Sequence, residues 1–116
     1  MRLETLPPPR VIAVDVDGTL HVDGISNQRL TTWLEEQRAA GYSLMLWSMR
    51  GEEYARRAAI HCKADHLFDL ICSKPGYIVD DMGWQWIKQT RVVTSLKSWV
   101  LPELLKVAGN WRASAR

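Results

Sequence analysis

Residues 11–19 of the chain read VIAVDVDGT, an apolar, β-branched run that ends in two aspartates. A nearly continuous apolar run of this length predicts a central strand of a parallel sheet, covered on both faces. Gly18 breaks the pattern, so the strand is expected to end near Asp15. Because residues two apart project from the same side of a strand, Asp15 and Asp17 are expected to face one pocket.

Strand-like and helix-like segments alternate after this run. The predicted elements are a loop or small hairpin at residues 20–25 around Asp23-Gly24, a helix capped by Ser26 or Asn27 and stopped by Gly41, strands at residues 43–47, 67–72, 77–79 and 92–94, and helices at residues 52–63 and 95–107. This alternation predicts right-handed βαβ units and an α/β fold, a three-layer Rossmann-like arrangement around a central, mostly parallel sheet. In such sheets the site lies at the carboxyl ends of the strands.

Length and composition are those of one globular domain. The chain has 116 residues, of which 47% are hydrophobic and 24% charged, which argues against disorder. We expect a lead-in at residues 1–10 that contains a proline run, a core domain at residues 11–109 and a tail at residues 110–116.

Charge, cysteine content and hydropathy bear on partners and location. The net charge of +2 permits a polyanionic partner without demanding one. The 2 cysteines do not form a disulfide framework, and no apolar run has the length of a membrane span or of a signal core. A cytoplasmic protein with no membrane partner is expected.

Reactive side chains end three of the predicted strands. Asp15 ends the first, Ser48 follows the second, and Asp80-Asp81 follow the strand at residues 77–79. Together with Asp17, the aspartates would place four carboxylates at one rim, where they would repel one another unless a cation lay between them. Oxygen ligands with room for phosphate oxygens suit Mg²⁺.

These residues carry a resemblance to a known family. Asp15-Val16-Asp17-Gly18-Thr19 has the form of the first motif of the haloacid dehalogenase (HAD) superfamily. Ser48 after an apolar strand resembles the second motif, Lys74 in Ser73-Lys74-Pro75 the third, and Asp80-Asp81 the fourth in its double-aspartate form. All four occur in order within residues 11–81, and the first is the most specific.

The resemblance implies a phosphomonoester hydrolase, with a role for each motif residue. Asp15 would be the nucleophile that forms an aspartyl-phosphate, and Asp17 would be the general acid and base. Ser48 would hold phosphoryl oxygens, and Lys74 would neutralise charge on the nucleophile and the transferring group.

The resemblance also implies a magnesium site. Its ligands would be Asp15, Asp17 through its carbonyl, and Asp80. Asp81 would either bind the metal directly or contact one of these ligands. Lys74 lies only a few positions before Asp80, where many relatives have a helix, so a tight loop must bring the lysine in. Lys63 is the alternative lysine, at the end of the predicted helix.

The spacing between the motifs leaves no room for a cap domain. Residues 20–46 hold a loop, a helix and a strand, and residues 48–74 hold a helix and a strand. The resemblance is therefore to the capless subgroup, whose open site admits a small molecule or the phosphorylated end of a macromolecule. Candidate substrate contacts are Thr19, Met49 and Arg50, and His21 lies in the predicted loop beside the site.

Other functions remain open. The chain can be a catalytically weak HAD-fold binding or regulatory module, although its full motif set argues against lost turnover. A receiver-like domain is disfavoured because such domains lack the Asp17 acid and base, and the mild charge disfavours a nucleic-acid end phosphatase. Trp84 and Trp86 can serve structure, a homo-oligomer contact or base stacking.

Overall fold

The computed structural model describes residues 9–87. Its elements are β1 (Val11–Asp15), β2 (His21–Val22), β3 (Ile25–Ser26), α1 (Gln28–Ala39), β4 (Ser43–Ser48), α2 (Glu52–His61), a short 3-10 helix (Asp65–Leu67) and β5 (Leu70–Ser73). The predicted α/β class is confirmed, as a small domain with a parallel three-stranded sheet and two helices. No helix within this range is long and apolar enough to cross a membrane.

The sheet has the order β1-β4-β5, with both pairs parallel. Asp15 at the end of β1 is in register with Trp47, and Ser48 at the end of β4 is in register with Ser73. The chain returns from β1 to β4 through α1 and from β4 to β5 through α2, as in βαβ units. The carboxyl ends of all three strands therefore meet at one edge of the sheet, which we call the carboxyl edge, and the opposite one the amino edge.

Alternate residues of the strands form the core with both helices. The core residues are Val14 on β1, Leu44 and Leu46 on β4, Ile71 on β5, Leu30, Trp33 and Leu34 on α1, and Ala55, Ala58 and Ala59 on α2, with others from the connections. Since the strand members share one face, α1 and α2 cover the same face. Leu34 and Leu46 are fully buried, and truncating either to alanine is expected to cost about 2–5 kcal/mol.

The other face of the sheet is more open among residues 9–87. Ala13 is exposed, and Met45 and Trp47 are half-buried. The prediction that β1 is covered on both faces is thus met on one face within the described range. The predicted strand at residues 92–94 and helix at residues 95–107, as well as residues 1–8 and the tail at residues 110–116, lie outside that range.

Local signals account for the hairpin and for both ends of α1. Asp23 and Gly24 have φ values of +50° and +81°, as a tight two-residue hairpin turn requires. Asn27 caps α1 because its side chain accepts a hydrogen bond from the backbone N–H of Leu30, at 3.2 Å. Gly41, with φ of +101°, lets the chain leave the helix.

The third predicted strand begins later than expected. The sequence predicts a strand at residues 67–72, but Leu67 belongs to the 3-10 helix and β5 begins at Leu70. Leu67 and Phe68 lie in or next to this 3-10 helix and are buried. Their apolar side chains therefore reflect packing in the core and not pairing in a strand. The Asp69 N–H then donates to the carbonyl of Leu44, at 2.8 Å, and starts the pairing of β5 with β4.

The predicted strand at residues 77–79 is wrong for the described chain. Tyr77 and Val79 are 95% and 101% exposed, and this segment pairs with no strand within residues 9–87. Pro75 just before it has no N–H to donate to a sheet. The Asp80 carboxylate accepts a hydrogen bond from the Met82 N–H, at 2.7 Å, and so bends the chain directly after the segment.

Candidate active site

Three strand ends place the predicted catalytic residues at the carboxyl edge. Asp15 is the last residue of β1, Ser48 is the last residue of β4, and Lys74 directly follows β5. The Lys74 N–H donates to the Ser48 carbonyl at 2.9 Å, which continues the pairing of β5 with β4 by one residue. The end of β5 therefore brings the lysine to the site, in place of the tight loop that the sequence required.

Asp15 and Lys74 form an ion pair. The Lys74 Nζ lies 3.0 Å from Asp15 Oδ1, and both side chains are about one-third exposed, at 29% and 35%. The Thr19 hydroxyl donates to Asp15 Oδ2 at 3.4 Å. Lys63 follows α2, which runs from the carboxyl edge toward the amino edge, so Lys74 is the lysine at Asp15. The carboxylate faces solvent with a cation fixed beside it.

Asp17 lies on the same side of the chain as Asp15. Val16 between them is fully buried, whereas Asp15 is half-buried and Asp17 is exposed, so both aspartates face away from the core. Gly18 follows with φ of +78°, and its N–H donates to the His21 carbonyl at 2.9 Å, which closes the turn into the hairpin. The two aspartates thus share the open side of the carboxyl edge.

Three side chains surround the Asp17 carboxylate, and we call the four residues the Asp17 cluster. The Tyr54 hydroxyl donates to Oδ1 at 2.5 Å, His21 Nε2 lies 3.5 Å from Oδ1, and Arg50 lies 3.6 Å from Oδ2. The Arg50 guanidinium also lies over the Tyr54 ring, 3.9 Å from its centroid. The hairpin, the β4–α2 connection and α2 therefore converge on one carboxylate.

The hydrogen bonds of the Asp17 cluster define which groups carry protons. The Tyr54 pKa is raised because its hydroxyl donates to Asp17, with smaller contributions from burial and from the Asp17 charge, while Arg50 acts in the opposite sense. Tyr54 is therefore a proton donor at neutral pH. His21 Nδ1 accepts the Gly24 N–H at 3.2 Å, so its ring hydrogen is on Nε2, the atom facing Asp17.

Ser48 holds the connection between β4 and α2. Its hydroxyl accepts the Arg50 N–H at 3.0 Å, and the residue is only 2% exposed. Its carbonyl accepts the Gly51 N–H as well as that of Lys74. Met49, another predicted substrate contact, is 84% exposed at the carboxyl edge. The serine thus positions the backbone between the candidate nucleophile and α2.

The predicted magnesium ligands are brought together only in part. Asp15 and Asp17 share the carboxyl edge, whereas Asp80 and Asp81 follow the unpaired, exposed segment at residues 77–79. Within residues 9–87, no three histidine, cysteine or acidic side chains are grouped closely enough to hold one metal ion. The carboxylates of Asp15 and Asp17 fit a hard cation chemically. The assignment of the four ligands stays a prediction.

Comparison with known families and proteins adds no relative. No protein family, no curated protein and no solved structure matches this chain. The resemblance to the HAD superfamily therefore depends on the motif residues themselves and on their arrangement at the carboxyl edge.

A cleft of about 380 Å³ lies beside the Asp17 cluster, between the hairpin and α2. It is lined by His21, Arg50, Tyr54, Arg57, Ala58 and His61. The sequence predicts no site role for Tyr54, Arg57 or His61, although the structure places all three beside the candidate site. The available signal was their spacing at positions i, i+3 and i+7, which puts all three on one side of a helix.

Trp84 and Trp86 contact each other, with ring centroids 5.4 Å apart and planes tilted by 41°. They lie in a turn after Asp80-Asp81 and are 49% and 37% exposed. The choice among structural, oligomeric and base-stacking roles stays a prediction.

Proposed function

We propose that the chain is a magnesium-dependent phosphomonoester hydrolase of the HAD type that acts through an aspartyl-phosphate on Asp15. The observation that carries this proposal is the Lys74 ammonium 3.0 Å from the Asp15 carboxylate, at the end of a parallel strand and on the same side as Asp17. A cation fixed beside an exposed carboxylate lowers the repulsion between that carboxylate and an incoming phosphate.

The first step would transfer the phosphoryl group to the protein. An oxygen of Asp15 forms a bond to phosphorus while the ester P–O bond breaks, and the leaving oxygen takes a proton from the Asp17 carboxyl. Lys74 offsets the negative charge on Asp15 and on the transferring group. Thr19, hydrogen-bonded to the other Asp15 oxygen, keeps the carboxylate oriented.

The second step would restore the enzyme. Asp17 takes a proton from a water molecule, whose oxygen attacks phosphorus, and the bond between phosphorus and Asp15 breaks to release inorganic phosphate. Magnesium, held by Asp15, the Asp17 carbonyl and Asp80 with Asp81, would supply positive charge at the phosphoryl oxygens. Ser48 would support the phosphate-facing backbone of the β4–α2 connection.

The proposed fold is a Rossmann-like, three-layer HAD core without a cap. Two observations support it: the parallel order β1-β4-β5, and the small number of secondary-structure elements between the motif residues. Only the hairpin, α1 and β4 separate Asp15 from the end of β4 at Ser48, and only α2, the 3-10 helix and β5 separate Ser48 from Lys74. Such an open site suits a substrate that reaches the carboxyl edge from solvent.

The proposal is tested by phosphate release from an aryl phosphate, with and without Mg²⁺. Wild type is compared with Asp15→Asn and with Asp23→Asn, a matched change at an exposed aspartate in the hairpin turn. We expect magnesium-dependent turnover in wild type and Asp23→Asn, and a loss of at least about 10⁴-fold in Asp15→Asn.

Three results would contradict the proposal. Equal rates in Asp15→Asn and wild type would exclude Asp15 as the nucleophile. Absence of turnover across a panel of natural phosphomonoesters, in a folded protein that binds Mg²⁺, would instead favour a binding or regulatory module. A stable aspartyl-phosphate detected by mass spectrometry without phosphate release would favour a receiver-like role.

A further inference from the structure

The cleft between the hairpin and α2 is open to solvent and lies next to Asp17. Three of its lining residues, His21, Arg50 and Tyr54, are the partners of Asp17 in the Asp17 cluster. A ligand in the cleft would therefore touch the same side chains that hold the proposed acid and base. Its volume of about 380 Å³ is near the lower end of the usual range for small-molecule sites.

The walls of the cleft are joined at both ends. At one end Tyr54 of α2 donates to Asp17, and at the other His61 Nε2 lies 2.9 Å from the Gly24 carbonyl in the hairpin turn. Because a carbonyl oxygen only accepts, the His61 Nε2 carries the hydrogen of that bond. Ala58, between these two contacts on α2, contributes a small side chain that leaves the space open.

Positive charge in the cleft is only partly compensated. Arg50 faces the Asp17 carboxylate, which balances its charge. Arg57 is exposed and makes no ion pair or side-chain hydrogen bond with any residue in the 9–87 range. Its neighbour Arg56, by contrast, pairs with Glu52 at 3.0 Å. A guanidinium that has no partner within residues 9–87 can offer its fork of N–H donors to a phosphate or a carboxylate.

We infer that this cleft binds a second anionic group, a phosphate or a carboxylate, on the molecule whose phosphoester is cleaved at Asp15. The inference rests on the proposed function and narrows its substrate to small organic phosphates that carry another acidic group. Arg57 binds that group, Arg50 contacts Asp17, and the His61–Gly24 contact joins α2 to the hairpin at the other end of the cleft. One arginine that is unpaired among the described residues of the cleft suits one such group and not a polynucleotide backbone.

The test uses alkyl monophosphates of three to six carbons that end in a methyl group, a carboxylate or a second phosphate. For wild type we expect kcat/KM to be about tenfold or more higher for one or both anionic series than for the methyl series of equal length. Arg57→Gln should remove most of this advantage, so that kcat/KM becomes similar for the anionic and methyl series. Arg56→Gln, which makes the same change outside the cleft, should retain it. The carboxylate and bisphosphate series show which anion is preferred.

A binding measurement separates this inference from the proposed function. Asp15→Asn protein, with and without Arg57→Gln, is titrated with the same compounds by calorimetry, and circular dichroism checks that each variant is folded. Tail-dependent affinity that is lost with Arg57→Gln would support the cleft even if wild type showed no turnover. Turnover or binding with no preference for an anionic tail, or equal losses in Arg56→Gln and Arg57→Gln, would overturn it.

Discussion

Asp17 at the carboxyl edge and Asp69 at the amino edge are alike in exposure and differ in their partners. Their side chains are 47% and 45% exposed, and each lies near an arginine, Arg50 and Arg38 respectively. Asp69 Oδ2 accepts the Leu44 backbone N–H at 3.0 Å, and its Oδ1 accepts from Arg38 at 3.0 Å. Asp17 is contacted by side chains from three different elements. Exposure therefore does not separate a structural carboxylate from a candidate catalytic one, whereas the kind of partner does.

The reason lies in what each set of partners can do. A backbone N–H cannot change protonation or move away, so Asp69 joins the starts of β4 and β5 as a fixed link. The Asp69 pKa is lowered chiefly by the Leu44 N–H, with Arg38 as a further cause. Side-chain partners such as Tyr54 and His21 can rotate away from the carboxylate, which suits a carboxylate that gives up and takes a proton.

Among the variants that test this difference between Asp17 and Asp69, Asp17→Asn should have the largest effect. If Asp17 is the general acid and base, kcat should fall by about 10²–10⁴-fold, because the amide can neither donate a carboxyl proton nor accept one. The melting temperature should change little, since the residue's arginine contact is exposed and such pairs stabilise weakly. Steady-state kinetics and thermal unfolding measure both, and unchanged kcat would refute the assigned role.

Asp69→Asn should show the opposite pattern. The Leu44 N–H loses its charged acceptor and Arg38 loses its ion pair, so we expect a melting temperature lower by several degrees. The activity per folded molecule should stay at the wild-type level, because Asp69 lies at the other edge of the sheet. A drop in kcat at a temperature where the variant is fully folded would contradict this separation.

A smaller effect on activity is expected for Tyr54→Phe. The variant keeps the ring under Arg50 and removes only the hydroxyl that donates to Asp17. We expect kcat to fall on the order of tenfold or less, with KM nearly unchanged for a methyl-ended substrate. Because the Tyr54 pKa is raised, the hydroxyl stays protonated, and the ratio of wild-type to variant rate should be flat up to about pH 10. A ratio of wild-type to variant rate that changes between about pH 6 and 8 would argue against this donor role.

The smallest expected effect is a pH dependence of stability from Asp69. Its folded-state pKa is below the ordinary value of 3.8, so the unfolded chain binds the proton more tightly. Its stabilising contribution is therefore complete above that value and is lost as the pH falls through the lower folded-state pKa. The stability difference between wild type and Asp69→Asn should shrink in that acidic range, as denaturant unfolding at several pH values can measure. A difference that stays constant into the acid would contradict it.

Features that depend on neighbours in sequence could be predicted, and those that depend on distant partners could not. The strand ending at Asp15, the turn at Asp23-Gly24 and the Asn27 cap follow from local chemistry. The meeting of Asp15 with Lys74 follows from the rule that parallel strands end at one edge. The start of β5, by contrast, depends on the contact of Asp69 with Leu44, which lies on another strand.

The two largest misses have the same physical cause. An apolar triplet at residues 77–79 looks like a strand, but a strand exists only where another strand offers it hydrogen bonds. Tyr54 looks like a residue of a helix face, and its contact with Asp17 joins residues 37 positions apart. Neither the missing partner of the first nor the partner of the second can be read from the residues around it.

Asn27 links the first turn of α1 to residues 19 and 20, which follow the strand that carries Asp15. Its backbone N–H donates to the Leu20 carbonyl at 2.9 Å, its side-chain amide donates to the Thr19 carbonyl at 3.2 Å, and its side-chain oxygen accepts the Leu30 N–H. Fraying of the first helical turn would therefore remove two of the hydrogen bonds that hold residues 19 and 20 near Asp15. In a hydrogen-exchange experiment, we expect the amides of Leu30 and Asn27 to be protected as one cooperative unit. How constantly Thr19 stays in contact with Asp15 therefore depends on how rarely the start of α1 unfolds.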